Sequence, residues 1–280
     1  MMGGNLVDLF KVPQRIGAQA RRARARHRMT DVSSPEQLLF ASTTQAFLEK
    51  KEGSLSRVRE LHAADSSFDS AWWQRAAELG WASLLVPEEL GGGSVSGDGV
   101  ADLALVAEQI GHSVAPGPLH PVSTVLAGLV EAPDGHGDTI EALVSGELIA
   151  SWAVYEPRRP LSPLQPGGVT ATRTDSGYRI DGVKDRVEAG SEAGVFLVVA
   201  DLDAVLANFW SPADRATVTG QRSVDMVKRY ARVEFNGTEV DESAVVGDAA
   251  STPAIIERQR QVAWCSSARR SSGSSTPCWR

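Results

Sequence analysis

The stretch Thr139-Ile140-Glu141-Ala142-Leu143-Val144-Ser145-Gly146-Glu147-Leu148-Ile149-Ala150-Ser151-Trp152-Ala153-Val154-Tyr155-Glu156-Pro157 holds the change of pattern that decides the fold. Up to Gly146 the glycines punctuate helices; beyond it they punctuate strands. Upstream, Leu38, Leu39, Ala46, Phe47 and Leu48 fall on one side of a helix that Pro35 opens and Ser33 or Ser34 caps. A second helix is predicted through Ser70–Leu79, stopped by Gly80. Further helices are predicted near Val100–Gly111, near Pro118–Val130 and at Thr139–Val144. Residues 30–146 therefore read as an all-α N-terminal domain.

Downstream the apolar segments become short, rich in β-branched and aromatic residues, and separated by turn signals. Leu148–Tyr155, Val169–Arg173, Tyr178–Ile180, Gly194–Ala200, Val205–Phe209, Thr217–Gln221 and Arg232–Phe235 are seven such strands. Asp181-Gly182 and Asn236-Gly237 are hairpin-type dipeptides. Residues 147–247 are accordingly predicted as an antiparallel β-barrel or sandwich, which makes the fold class α+β.

Composition excludes several alternatives. The 280 residues are 42% hydrophobic and 22% charged, as in a folded globular chain, and no apolar run reaches the ~18 residues of a membrane span. The net charge of −7 conceals basic ends. Residues 1–29 form an arginine-rich extension, read as a nucleic-acid arm, as an Arg-rich transit peptide or as a start-site extension ahead of Met29. The acidic body between the two ends repels phosphate backbones, so no nucleic-acid partner is expected. Five scattered histidines and two cysteines, Cys265 and Cys278, give no metal-ligand spacing, so no metal site is expected. Gly91-Gly92-Gly93-Ser94-Val95-Ser96-Gly97 lacks the following Lys-Ser/Thr and the preceding strand of a phosphate loop, and reads as a flexible interhelical loop.

Several segments, taken in order, resemble the acyl-CoA dehydrogenase family. They are Ala77-Glu78-Leu79-Gly80-Trp81, Leu85-Val86-Pro87-Glu88-Glu89-Leu90-Gly91-Gly92, Val106–Gly111, Val154-Tyr155-Glu156-Pro157, Ile180-Asp181-Gly182-Val183-Lys184 in a hairpin, and Val233–Val240. The resemblance implies an FAD flavoprotein that removes two hydrogens from the Cα–Cβ bond of an acyl-CoA thioester. It also implies electron-transfer flavoprotein as a partner, a homo- or hetero-oligomer, and a cytoplasmic site of action. By register with the family, Trp152 takes a ring-packing position, Val154 and Tyr155 face the flavin, and Val187 and Glu188 stand where the family's Trp-Ile-Thr strand contacts it. After Pro157, Arg158-Arg159-Pro160-Leu161-Ser162 replaces the family's Gly-Ala-Gly-Ser-Asp loop. The resemblance assigns no catalytic residue within the chain, because the family's carboxylate base sits in a C-terminal helical bundle. Two other readings share the fold: a non-catalytic subunit paired with a complete one, and a flavin oxidase or monooxygenase.

Residues 248–263 would open the first helix of that bundle. Trp264–Arg280 then departs from it: serines and arginines follow one another without apolar periodicity. Back-translated with GC-rich codons and moved by one base, the stretch reads as an amphipathic helix, so a frameshift after Ala263 is expected, giving a truncated and inactive chain that lacks the bundle. On that reading residues 264–280 are an aberrant tail that packs against little.

Overall fold

The computed structural model describes residues 34–50, 55–64, 66, 68–159 and 167–274. The basic extension 1–29, Pro160-Leu161-Ser162 and Cys278 lie outside them. Among the described residues six α-helices come first: α1 (Pro35–Leu48), α2 (Leu55–Ala63), α3 (Ser70–Glu78), α4 (Gly99–Ser113), α5 (Leu119–Leu129) and α6 (Gly137–Val144). The cap of α1 is Ser34, whose hydroxyl accepts from the Gln37 amide while the Gln37 side chain accepts from the Ser34 amide. Helix α2 has no counterpart in the sequence-based expectation. Phe47 of α1, Trp72 of α3 and Trp81 meet with ring centroids 5.5–6.0 Å apart and form the aromatic centre of the helical half.

The glycine loop is not a loose connection. Asp102 of α4 is fully buried and accepts hydrogen bonds from the Val95 and Ser96 backbone amides, the Ser96 hydroxyl and the Gln37 side-chain Nε2 at 2.7–2.9 Å. Among the described residues, an internal carboxylate takes the donors that a phosphate would have used. Sequence spacing missed this because Asp102 lies beyond the glycine run.

Gly146, at φ 77° just past α6, turns the chain from the helices into the sheet. A side chain there would press on Ala77 and Trp73 of α3, so the position requires glycine for both conformation and room. Among the described residues eight strands follow: β1 (Ala150–Ala153), β2 (Thr170–Thr174), β3 (Gly177–Glu188), β4 (Val195–Leu202), β5 (Val205–Pro212), β6 (Thr217–Gln221), β7 (Tyr230–Asp241) and β8 (Val245–Val246). Their order is β6-β7-β3-β2-β4-β5-β8, with β1 paired to β4.

The sheet is mixed, since β1 and β2 both run parallel to β4 while the other pairings are antiparallel. Strand β4 is buried on both faces. Val195, Leu197 and Val199 pack toward the helices, and Phe196, Val198 and Ala200 fill a second core inside the β half. The two hairpin-type dipeptides make no hairpin. Asp181 and Asn236 face each other within β3–β7 at an irregularity of the ladder, where the Gly237 amide donates to Asp181 Oδ1 at 2.7 Å. They form a bulge in two long strands, which short-range turn signals cannot distinguish from a chain reversal.

Helix α7 (Thr252–Ser274) closes the described chain and packs on α4 and α5. It runs without interruption past Ala263, so residues 264–274 do pack, contrary to expectation. The segment does lack an apolar stripe; polar and glycine contacts hold it instead.

Candidate functional site

The five residues expected to face a flavin lie on two neighbouring segments, the end of β1 and the end of β3. Backbone contacts fix them side by side: the Ser151 hydroxyl donates to the Glu188 carbonyl at 2.7 Å and the Asp185 amide to the Tyr155 carbonyl at 2.8 Å. Trp152 and Val154 pack into the core shared with the helices, and Ala153 into the β core. Tyr155 is half-buried at the edge of the first core; burial pushes its hydroxyl pKa up, partly opposed by Arg186 and Arg260.

Glu156 anchors this corner. Its carboxylate meets Lys184 Nζ at 2.9 Å and accepts from the Gly168 and Val169 amides at 2.6 and 3.2 Å, and Lys184 also donates to the Val154 carbonyl at 3.2 Å. Burial alone would push the Glu156 pKa up, but Lys184 and the two amides hold it below the usual carboxylate value. A side chain on Gly167 would overlap the carboxylate. Gly167-Gly168 therefore provides the close backbone approach that Arg158-Arg159 cannot. The sequence signal was the glycine pair itself, displaced by about ten residues from the family position.

At the other end, β3 bulges between Lys184 and Val187, and Arg186 takes φ 53°. The bulge resets the side-chain alternation, so Val187 is turned into the β core and does not share a face with Trp152 and Val154. Glu188 lies in a charge cluster. Its Oε2 is 3.3 Å from Lys228 Nζ and 3.8 Å from the His120 ring at Nε2, and Arg270 of α7 adds a second cation. Burial would raise the Glu188 pKa, but these cations hold it below the usual value. The His120 ring is pushed below its ordinary value, chiefly by burial. His120, Lys228 and Arg270 were not singled out in the sequence, because they come together from two helices and the loop before β7, a packing that no local pattern records.

Elsewhere, a cleft of about 600 Å³ opens on the helical half between residues 84–88 and 93–100, with Arg258 of α7 on its wall. None of the five expected residues lines it. Among the described residues no group of three or more His, Cys, Asp or Glu could hold a metal ion, and no helix is long and apolar enough to cross a membrane.

Residues 34–132 match the N-terminal domain of acyl-CoA dehydrogenases. Its N-terminal domain is that of the acyl-CoA dehydrogenase family, and the fold that follows is the fold of solved acyl-CoA dehydrogenases. It is 31% identical over 197 residues to acyl-CoA dehydrogenase FadE27 of Mycobacterium tuberculosis, an alignment that covers 68% of this chain and 49% of that protein. Among solved structures, the glutaryl-coenzyme A dehydrogenase glutaryl-CoA complex superposes with a TM-score of 0.77 at 16% identity, covering 86% of this chain and 64% of the other. The ChsE4-ChsE5 complex of Mycobacterium tuberculosis does so with a TM-score of 0.70 at 24% identity, covering 85% and 65%. The chain thus spans about half the length of that curated relative and about two thirds of the solved ones.

FAD is the cofactor of this family, and the residues here match its site only in part. The buried Trp152 indole N–H lacks a protein acceptor, but so do those of Trp72, Trp73 and Trp81 in the helical core, so this does not single out a flavin contact. Val187 faces another core, and Glu188 is an ionised carboxylate, an acceptor that has no proton to donate. As a set, the five residues do not fit a flavin.

Proposed function

We propose that the chain is an acyl-CoA dehydrogenase-type protein, of the class that carries out FAD-dependent α,β-dehydrogenation of acyl-CoA thioesters, in a form that does not perform that reaction by itself. What supports this reading is Glu188. It stands in the strand that should receive the flavin, yet its charge is committed to His120, Lys228 and Arg270. Base, thioester and flavin act as one unit in such chemistry, so a site that holds one of them poorly loses far more than its share of rate. No carboxylate of this chain is assigned the role of base.

The test is a titration of the purified chain with FAD, followed by assay of an artificial electron acceptor with acyl-CoA thioesters of several chain lengths. Weak or absent flavin binding and no dye reduction are expected. Reduction of the dye by the chain alone would overturn the reading.

A second reading, a non-catalytic subunit beside a complete one, is favoured by the outer face of this corner. Trp264 is 61% exposed and stacks at 3.9 Å on Arg260, whose charge reaches Tyr155. An exposed aromatic–arginine pair is a common anchor at protein interfaces. Acyl-CoA, electron-transfer flavoprotein and a cytoplasmic setting belong to either reading by family. Co-expression with a complete acyl-CoA dehydrogenase subunit, followed by size-exclusion chromatography, separates the two: co-elution supports the second.

A further inference from the structure

Residues 264–274 raise a physical question that the family reading does not answer. Beyond Trp264 and Cys265 this half of α7 reads Ser-Ser-Ala-Arg-Arg-Ser-Ser-Gly-Ser, with no apolar side chain larger than alanine. Serine and glycine are poor helix formers, and burial of alanine gives little to dock a helix. Yet the segment is helical, and Ser266 and Gly273 are buried.

Two sets of contacts account for this. The first is backbone approach: a side chain on Gly111 of α4 would overlap the Arg270 carbonyl, and one on Gly273 would overlap the Glu108 carbonyl. The helices touch at paired glycines, one on each. The second set is polar. Ser266 Oγ is 2.8 Å from His120 Nδ1 on α5, and Arg270 Nη2 donates to the Ala115 carbonyl at 2.9 Å, just past the end of α4. A cation there also meets the negative end of that helix dipole. Arg269 pairs with Glu108 at 3.6 Å.

We propose that Ser266, Arg270 and Gly273 form a polar latch that docks the second half of α7 onto α4, α5 and the end of β3, with Glu188, 15% exposed and reached through the His120 ring, as its anionic anchor. The latch is a separable device. Its release frees residues 264–274 while the apolar first half of α7 stays in place. Because the segment gains little from apolar burial, loss of one polar contact is enough to shift it toward the open state.

Backbone hydrogen exchange of the full chain, read peptide by peptide, tests this. Arg270→Ala should speed exchange across residues 264–274 by about tenfold or more, with α1, β4 and β5 unchanged. Arg270→Lys keeps the charge but loses the fork of donors, and should fall between. Gly273→Leu, which blocks the backbone approach without touching any charge, should reproduce the alanine variant. Glu188→Gln should speed exchange of the same peptides, since the anchor lies on a different element. Unchanged exchange at 264–274 in Arg270→Ala, or loss of protection throughout the chain in both Arg270→Ala and Gly273→Leu, overturns the proposal.

Discussion

The two halves of α7 are one continuous helix held by opposite means. In the first, Ile255, Ile256 and Val262 are buried, and Ile256 and Val262 join the core shared by the helices and the sheet. In the second, no large apolar side chain is buried, and glycines, a serine and an arginine make the contacts. Helix formation in a protein therefore does not require an amphipathic stripe at every turn. Neighbouring elements that offer a glycine, a helix end and a largely enclosed carboxylate can hold a segment whose own sequence gives no helical signal.

The sharpest way to break the contrast is to cut the first half. Ile256→Ala should lower the global unfolding free energy by about 3 kcal/mol, seen as a lower denaturant midpoint with the slope unchanged. Gly111→Ala, which acts on the second half, should cost about 2 kcal/mol in the opening of residues 264–274 measured by hydrogen exchange, with less effect on the global midpoint. Gln259 lies at the join. Its Nε2 donates to the Thr124 carbonyl at 3.1 Å, but its buried Oε1 has no partner. Gln259→Leu removes a hydrogen bond and an unsatisfied acceptor together, so its unfolding free energy should stay within about 1 kcal/mol of the parent. Ser271→Ala, on the exposed side of the second half, should stabilise that half by about 0.5 kcal/mol through helix propensity alone, read as slower exchange.

Acid should also separate the halves. Glu188 is held below its ordinary value, so its stabilisation is complete above that value and is lost as pH falls through the lowered one. His120 is also depressed, so protonation of the unfolded form from pH 6.5 downward favours release. The two shifts act in the same direction. Exchange at residues 264–274 should rise on acidification before that of Ile255–Val262, and Glu188→Gln should flatten the lower part of the profile.

Much of the fold was legible because apolar periodicity is a local signal. Five of the helices, the turn into the sheet at Gly146 and most strands could be read from residue spacing. The errors came from non-local causes. The bulges in β3 and β7 depend on their pairing, so Asp181-Gly182 and Asn236-Gly237 looked like turns, and spacing could not tell that Val187 is turned into the β core. Helix α2, with its weak apolar content, was invisible. The latch was hidden because its contacts join residues about 150 positions apart, as between His120 and Ser266. The corner at Trp152, Val154 and Tyr155 was legible through Glu156-Pro157, whereas the glycines that serve it, Gly167 and Gly168, lay outside the motif.

Trp264 has an optical consequence. Trp72, Trp73, Trp81 and Trp152 are enclosed in apolar surroundings, whereas Trp264 stands largely in water with a guanidinium on its ring. Their emission should be blue-shifted and shielded from acrylamide, while Trp264 should emit to the red and be quenched readily. In a background carrying Trp210→Phe, since Trp210 is only partly buried, and Trp279→Phe, the quenchable red fraction becomes an intrinsic dye fixed where the two halves of the last helix meet. It dims or shifts whenever a partner, a ligand or a change of pH covers or frees that junction, so binding at this corner can be followed in solution without a label.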